Sequence, residues 1–289
     1  MKANRKKRKR RLPGLAVLPM AAFTVFFVVI PLLYIVVLSF LKRDVLWGVT
    51  NEFTLGNFTR MLDPLYLGTF ADSLELAFLT TAITAAAGYP FGYFMARLPK
   101  KKKSLMMLLV TVPFWTNALV RIYGWIILLR SGGPVNGFLI GAGLIDGPIR
   151  FLYTYGAVLL GMVYSLLPLM ILPVYSSAEK LDWSLVEAAR DLGASKAKAF
   201  WTVAFPLTMP GVLSGVVLVF IPSVGLFFLS DLLGGGKIML VGNLIKNQLL
   251  VARDWPFGAA LSLVLMAMTT LMIALYRKAT KARDLEGWF

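Results

Sequence analysis

The sequence predicts an all-α fold, a polytopic membrane helical bundle with about six transmembrane helices. Of its 289 residues, 58% are hydrophobic and only 15% are charged, and the apolar residues form long blocks with the charges clustered between them. A charge at the centre of a bilayer costs roughly 2.5–3.5 kcal/mol on insertion scales. This separation of charges from apolar blocks is therefore what a membrane-spanning chain requires.

Six blocks are long enough to span, because about 20 apolar residues are needed for a hydrocarbon core of roughly 30 Å. We predict spans at about 12–41, 76–96, 104–129, 151–178, 208–231 and 255–276. They form one transmembrane domain, residues 12–276, between a basic tail (1–11) and a second tail (277–289).

The positions of Lys and Arg predict the orientation, since cytoplasmic segments carry the excess of basic residues. The two tails and the segments 97–103 and 179–198 hold 21 of the 30 Lys and Arg residues. Both termini are therefore expected in the cytoplasm. The first apolar run is too long for a signal peptide and shows no small-residue cleavage site. The net charge of +16 would suit a nucleic-acid-binding protein, but its placement beside the spans argues against nucleic acid as a partner.

Two further features concern packing and the outer side. The segment 42–72, which contains Trp47 and other aromatic residues among polar ones, is expected to face outward and to form short interfacial helices. Two glycine pairs with GxxxG spacing indicate close helix contacts: Gly88 and Gly92 in the second span, and Gly211 and Gly215 in the fifth.

The chain lacks the residues that most enzymes use. It has no Cys and no His, which removes thiolate chemistry, the commonest general base and the commonest metal ligand. Gly236-Lys237 is followed by Ile238 and has no Gly at position 231, so the phosphate-binding pattern G-x-x-x-x-G-K-[ST] is not met. We expect no catalytic residue, metal site or cofactor in this chain, and an energy source in another protein.

The segment of about 179–207 is expected to form a helical hairpin on the cytoplasmic side. Its first helix has an apolar face at helical spacing, formed by Leu185, Ala188, Ala189 and Leu192. Gly193 permits a turn, and a second short helix follows with an apolar face formed by Phe200, Trp201 and Val203. Such a hairpin can insert into a groove on a partner protein.

This hairpin resembles the EAA motif of binding-protein-dependent ABC importer permeases, which reads Glu-Ala-Ala, three residues, Gly, nine residues, Ile-x-Leu-Pro. The matching residues are Glu187, Ala188, Ala189, Gly193 and Pro206. Val203 and Phe205 stand at the Ile and Leu positions. The resemblance implies a type I ABC importer permease (MetI-like) architecture, with these five residues coupling the chain to an ATPase.

Longer segments resemble the PotB-type permeases of spermidine/putrescine importers. They are NFTRMLDPLY (57–66), VPFWTNALVRIYGW (112–125), LIDGPIRFLYT (144–154), SDLLGGGKIMLVGNLIKNQ (230–248) and RDWPFGAA (253–260). The resemblance implies a non-hydrolytic, polyamine-conducting subunit of a bacterial inner membrane. It also implies a PotC-type second permease, a PotA-type ATPase dimer that binds ATP and Mg, and a periplasmic or lipid-anchored PotD-type binding protein.

A polyamine path needs carboxylates and aromatic faces, which attract ammonium groups by charge and by ring quadrupole. Asp231, at the outer end of the fifth span beside Phe227 and Phe228, is the main candidate; a solvated helix-end residue is the alternative. Asp72 and Glu75 lie just ahead of the second span. They are either ordinary charged residues of a loop or part of the substrate path.

Aromatic residues on or near the third span are further candidates for the path, with interfacial belt residues as the alternative: Trp115, Tyr123 and Trp125. Arg121 in the same span would repel a cationic substrate, so it is expected to pair with a carboxylate or to face away. Rival functions are an importer for another small solute, a channel or secondary transporter working without ATP, and a membrane enzyme.

Overall fold

The structure, a computed structural model, describes residues 14–44 and 48–286, with side chains from 18 to 278. The basic tail 1–11, Trp47 and the final residues 287–289 lie outside the described residues. In chain order the elements are α1 Gly14–Thr24, a π-helical turn Val25–Val29, α2 Ile30–Ser39, β1 Leu41–Arg43, β2 Val49–Phe53, α3 Gly56–Arg60, α4 Pro64–Arg97, α5 Lys100–Trp115, α6 Ala118–Leu129, α7 Pro134–Gly141, α8 Tyr155–Glu179, α9 Trp183–Asp191, α10 Lys196–Ala199, a second π-helical turn Phe200–Ala204, α11 Phe205–Gly225, α12 Phe227–Gly234, α13 Val241–Leu250 and α14 Trp255–Glu286.

Five helical stretches of the described chain are long and apolar enough to cross a membrane: Leu18–Ser39, Pro64–Arg97, Tyr155–Glu179, Lys196–Gly225 and Trp255–Lys278. A sixth span is obtained if the bent pair Lys100–Trp115 and Ala118–Gly141 crosses as one. The all-α class and the number of about six spans are confirmed. The only strands among the described residues are β1 and β2, which pair in antiparallel orientation.

The second spanning helix begins at Pro64 rather than near residue 76. The Asp63 carboxylate accepts a hydrogen bond from the Leu65 N–H at 2.9 Å and caps the helix, and proline suits its first turn. Asp72 and Glu75 therefore lie inside α4. The sequence analysis had placed them ahead of the second span, which was wrong.

The predicted third span is not one straight helix. α5 and the run from α6 to α7 meet at an angle of 94°. Pro113 removes a backbone donor near the end of α5. The Asn117 side chain then accepts from the Leu119 N–H at 2.8 Å and caps a new helix.

The predicted fifth span, 208–231, is also redrawn. Its helical run begins at Lys196, within the motif segment, and ends at Gly225. Leu226 has φ −75° and ψ +63°, outside the helical region, so Asp231 lies on a separate short helix, α12.

The centre of the bundle is formed by α4, α8 and α11, which approach closely at the two predicted glycine pairs. A Cβ added at Gly92 would lie 2.9 Å from the Ile171 carbonyl oxygen, and one at Gly211 would lie 2.6 Å from the Pro173 carbonyl oxygen. Small residues allow such backbone approach in lipid, where dispersion contacts replace the hydrophobic effect as the source of helix association.

The segment between the first two spans contains the expected short helix, α3, and also the β1–β2 hairpin, which the sequence analysis did not predict. The pairing of the two strands satisfies backbone N–H and C=O groups of this non-helical stretch. A buried carboxylate, Asp254, ties this segment to the start of α14, because it lies 2.7 Å from Arg60 and 3.6 Å from Arg43.

Candidate functional site

The helical hairpin, residues 182–199, is defined by local capping. The Asp182 carboxylate accepts from the backbone N–H two residues later at 3.0 Å and starts α9. α9 ends in a left-handed turn, in which Gly193 has φ +88° and its N–H donates to the Arg190 carbonyl at 2.9 Å. Ser195 caps α10 in the same way. The sequence therefore encodes the start, the turn and the restart of the hairpin.

One side of the hairpin is packed against the bundle. Trp183, Val186 and Phe200 lie against a buried cluster that includes Tyr93. The Arg97 guanidinium stacks over the Trp183 ring at 5.1 Å. Phe200 therefore faces inward, and the second helix does not present the apolar face expected for it. Its exposed aromatic residue is Trp201.

The other side of the hairpin is exposed. Leu192, at the turn, has 90% of its surface accessible, and Leu185 is half exposed. Among the motif residues, Glu187 and Ala188 are exposed and Ala189 is half-buried. An anchored hairpin that keeps apolar and charged residues exposed has the surface expected of a docking element.

Pro206 lies in the first turn of α11, immediately after the π-helical turn. In that turn the Phe205 N–H donates to the Phe200 carbonyl, five residues earlier. Since Pro206 has no N–H, the wider turn lets the hairpin run into the spanning helix without a break.

Asp231 lies in a polar cluster between α12 and α13. One carboxylate oxygen accepts from the Lys246 ammonium at 2.5 Å and the other from the Asn243 amide at 2.6 Å. The Lys246 nitrogen is 5.6 Å from the centre of the Phe227 ring. The structure thus brings Asp231 and Phe227 together around the ammonium group of Lys246.

The remaining aromatic candidates are elsewhere. Phe228 and Trp125 pack on the hydrophobic core cluster around Leu229 and Met162. Trp115 is 81% exposed and Tyr123 is also exposed. Trp115 is therefore free to line a path or an interface, whereas the positions of Phe228 and Trp125 fit a packing role.

Among the described residues, Arg121 contacts two aromatic rings and pairs with no carboxylate. Its guanidinium lies 5.7 Å from the Phe114 ring centre and 5.9 Å from that of Tyr164. Within the described chain its buried Nε has no hydrogen-bond partner. The cation–π contacts account for an arginine in an apolar span.

Sequence reasoning missed Lys246 and Asn243. They lie three positions apart on α13, a spacing that places both side chains on one helix face. That spacing was visible in the sequence, but α13 lies in a stretch between the fifth and sixth predicted spans to which no helix was assigned.

A membrane-embedded helical bundle with one anchored, exposed hairpin between two of its spans defines the class of multi-pass permease subunits. The chain belongs to the family described as "Binding-protein-dependent transport system inner membrane component", whose model matches residues 88–282. It is accordingly a multi-pass inner-membrane component of an ABC importer.

The comparisons with individual proteins agree with this assignment. The chain is 49% identical over 265 residues to the spermidine/putrescine transport system permease protein PotB of Escherichia coli (strain K12), covering 92% of this chain and 96% of that protein. The PotB protein of Haemophilus influenzae is 45% identical, covering 90% and 91%. A bacterial alginate ABC transporter, solved in complex with an alginate pentasaccharide-bound periplasmic protein, shares the fold with a TM-score of 0.75 at 13% identity, covering 91% of each chain.

Proposed function

We propose that this chain is the permease subunit of an ATP-driven importer of polyamines, spermidine and putrescine being the expected substrates. The observation that supports this most strongly is the 49% identity, over 92% of the chain, to a spermidine/putrescine permease. Identity of this degree along nearly the whole chain favours the same substrate class over another small solute.

The chemistry of the outer cluster supports a cationic substrate. The Asp231 carboxylate and the Phe227 ring already hold one ammonium group, that of Lys246. Carboxylate and aromatic face together favour ammonium over neutral or anionic solutes. Asp231 and Phe227 are therefore the substrate-path residues we favour, with Trp115 and Tyr123 as exposed candidates.

The hairpin supports coupling to a separate ATPase. The chain shows no phosphate-binding loop of the G-x-x-x-x-G-K-[ST] type. We assign ATP and Mg to a PotA-type ATPase dimer on which the hairpin docks through Glu187, Ala188, Ala189 and Gly193. Both termini then lie in the cytoplasm, and a PotC-type second permease and a PotD-type binding protein complete the importer.

The test is uptake in a bacterial strain that lacks its own polyamine importers. The chain is expressed with its three partner subunits, and uptake of radiolabelled spermidine and putrescine is measured. Unlabelled alginate oligosaccharide, 2-aminoethylphosphonate and neutral amino acids serve as competitors. Unlabelled polyamines should inhibit uptake, and these other solutes should not. Uptake should be lost when the phosphate-binding lysine of the ATPase is replaced. Uptake that persists without the active ATPase, or a complex that carries no polyamine, would contradict the proposal.

A further inference from the structure

The ion pair between α12 and α13 is built differently from an ordinary surface pair. Asn243 is only 3% exposed. Its amide donates to Asp231 and to the Phe227 carbonyl, while its oxygen accepts from the Leu240 N–H at 3.1 Å. All of these bonds hold Asn243 in one orientation, so one carboxylate oxygen of Asp231 is fixed by a buried group. The second oxygen is the one that meets the Lys246 ammonium.

The Lys246 side of the pair is accessible. The side chains of Lys246 and Asp231 are 29% and 33% exposed. A partly exposed ion pair contributes little net free energy, so another ammonium group can compete for the carboxylate. The lysine nitrogen also lies over the partly exposed Phe227 ring, 5.6 Å from the centre of that ring.

Lysine carries a primary ammonium on a chain of four methylenes. This is the same chemical group that ends an aminoalkyl substrate. We propose that the ammonium group of Lys246 takes the place of the substrate's ammonium. It occupies the site formed by Asp231 and Phe227 until an ammonium group of a polyamine displaces it. The inference rests on the proposed function, and it makes Lys246 a residue that sets substrate affinity by competition.

The alternative role for the pair is structural, as a staple between two helices. The two roles predict opposite effects of removing the lysine. Loss of a competitor frees the carboxylate and tightens substrate binding, whereas loss of a staple loosens the site and weakens it. Equilibrium binding therefore separates them.

The experiment uses the complete importer in detergent, with its ATPase inactivated and without binding protein, and measures equilibrium binding of radiolabelled spermidine. Lys246→Gln should bind spermidine roughly two- to fivefold more tightly, the size expected for release of a partly exposed ion pair. Asp231→Asn should bind more weakly, and Lys246→Gln should add nothing in the Asp231→Asn background.

Lys237→Gln is the matched control, because it removes one positive charge from the exposed loop between the same two helices. Its affinity should equal that of the wild type. Lys246→Arg keeps the pair and strengthens it with a planar donor, so its spermidine affinity should be at or below that of the wild type. It also serves as the informative variant if Lys246→Gln does not assemble, since tighter binding by Lys246→Arg would overturn the inference.

Uptake of spermidine at limiting concentration, with the active ATPase and binding protein, is measured on the same variants. Unchanged or weaker binding by Lys246→Gln, or an equal gain in Lys237→Gln, overturns the role of Lys246 while leaving the transport function in place. A wild-type complex that neither binds nor imports spermidine refutes the proposed function itself.

Discussion

The carboxylate of Asp254 lies 2.7 Å from the guanidinium of Arg60, a residue 194 positions earlier in the chain. Asp254 also accepts from the Phe257 N–H at 3.2 Å at the start of α14, and the Arg60 guanidinium stacks on the buried Phe257 ring at 4.1 Å. Burial acts to lower the pKa of Arg60, but hydrogen bonds to Asp254 and Tyr66 outweigh it and the pKa is raised. Arg60 thus stays charged and connects the segment between the first two spans to the start of the last span.

We predict that Arg60→Ala destabilises the protein by about 1–3 kcal/mol, because it leaves a buried carboxylate with a weaker partner, Arg43. The measurement is the apparent melting temperature of the purified complex in detergent. Lys42→Ala is the control, since its pair with Glu52 is mostly exposed and should contribute little. Equal melting temperatures for Arg60→Ala and wild type would mean that this contact does not stabilise the packing of α3 on α14.

The close contact between α4 and α8 gives a second prediction. Gly92→Ala should destabilise the bundle by about 1–3 kcal/mol, because the new methyl group would meet the Ile171 carbonyl oxygen at 2.9 Å, a backbone atom that cannot turn aside. Gly68→Ala on the same helix is the matched control, since nothing lies within 4 Å of its added Cβ. That substitution should be neutral or stabilising by up to about 1 kcal/mol. Thermal unfolding in detergent distinguishes the two, and the same response from both would refute the packing argument.

The number of spans was predictable because the bilayer requires long apolar blocks, and the order of residues along the chain shows these blocks directly. The early start of α4 was also encoded, in Asp63-Pro64, but a search for apolar runs passes over a polar first turn. The pairing of Asp231 with Lys246 was not predictable, since it depends on how two short helices after Gly225 fold back on each other. Apolar residues at helical spacing and Gly193 made the hairpin predictable, whereas the inward position of Phe200 depends on its tertiary contact with Tyr93.

The turn of the hairpin gives a third prediction. Gly193 has φ +88°, a conformation that β-branched residues adopt at a cost of about 1–2 kcal/mol and that asparagine tolerates better. Gly193→Val should abolish polyamine uptake while the protein still reaches the membrane, and Gly193→Asn should retain most of it. Uptake and membrane level are measured together. Normal uptake in Gly193→Val would show that the geometry of this turn is not needed for coupling.

The exposed leucine at that turn gives the last prediction. Leu192 has 90% of its surface accessible in the isolated chain, an arrangement that makes sense if a groove on the ATPase covers it. Burial of one leucine side chain contributes about 1.5–3 kcal/mol, so Leu192→Asp should weaken association with the ATPase at least about tenfold.

The fold should be unaffected by Leu192→Asp, because the side chain has almost no contact area to lose within the chain. Association is measured by co-purification and by titration of the ATPase onto the reconstituted permease pair, alongside thermal unfolding of each variant. Leu250→Asp is the matched control, since that leucine is also largely exposed but lies at the end of α13, far along the chain from the hairpin. If both variants keep the ATPase bound, the hairpin turn is not the docking surface; if both lose it, the effect is one of charge or folding and not of a specific groove.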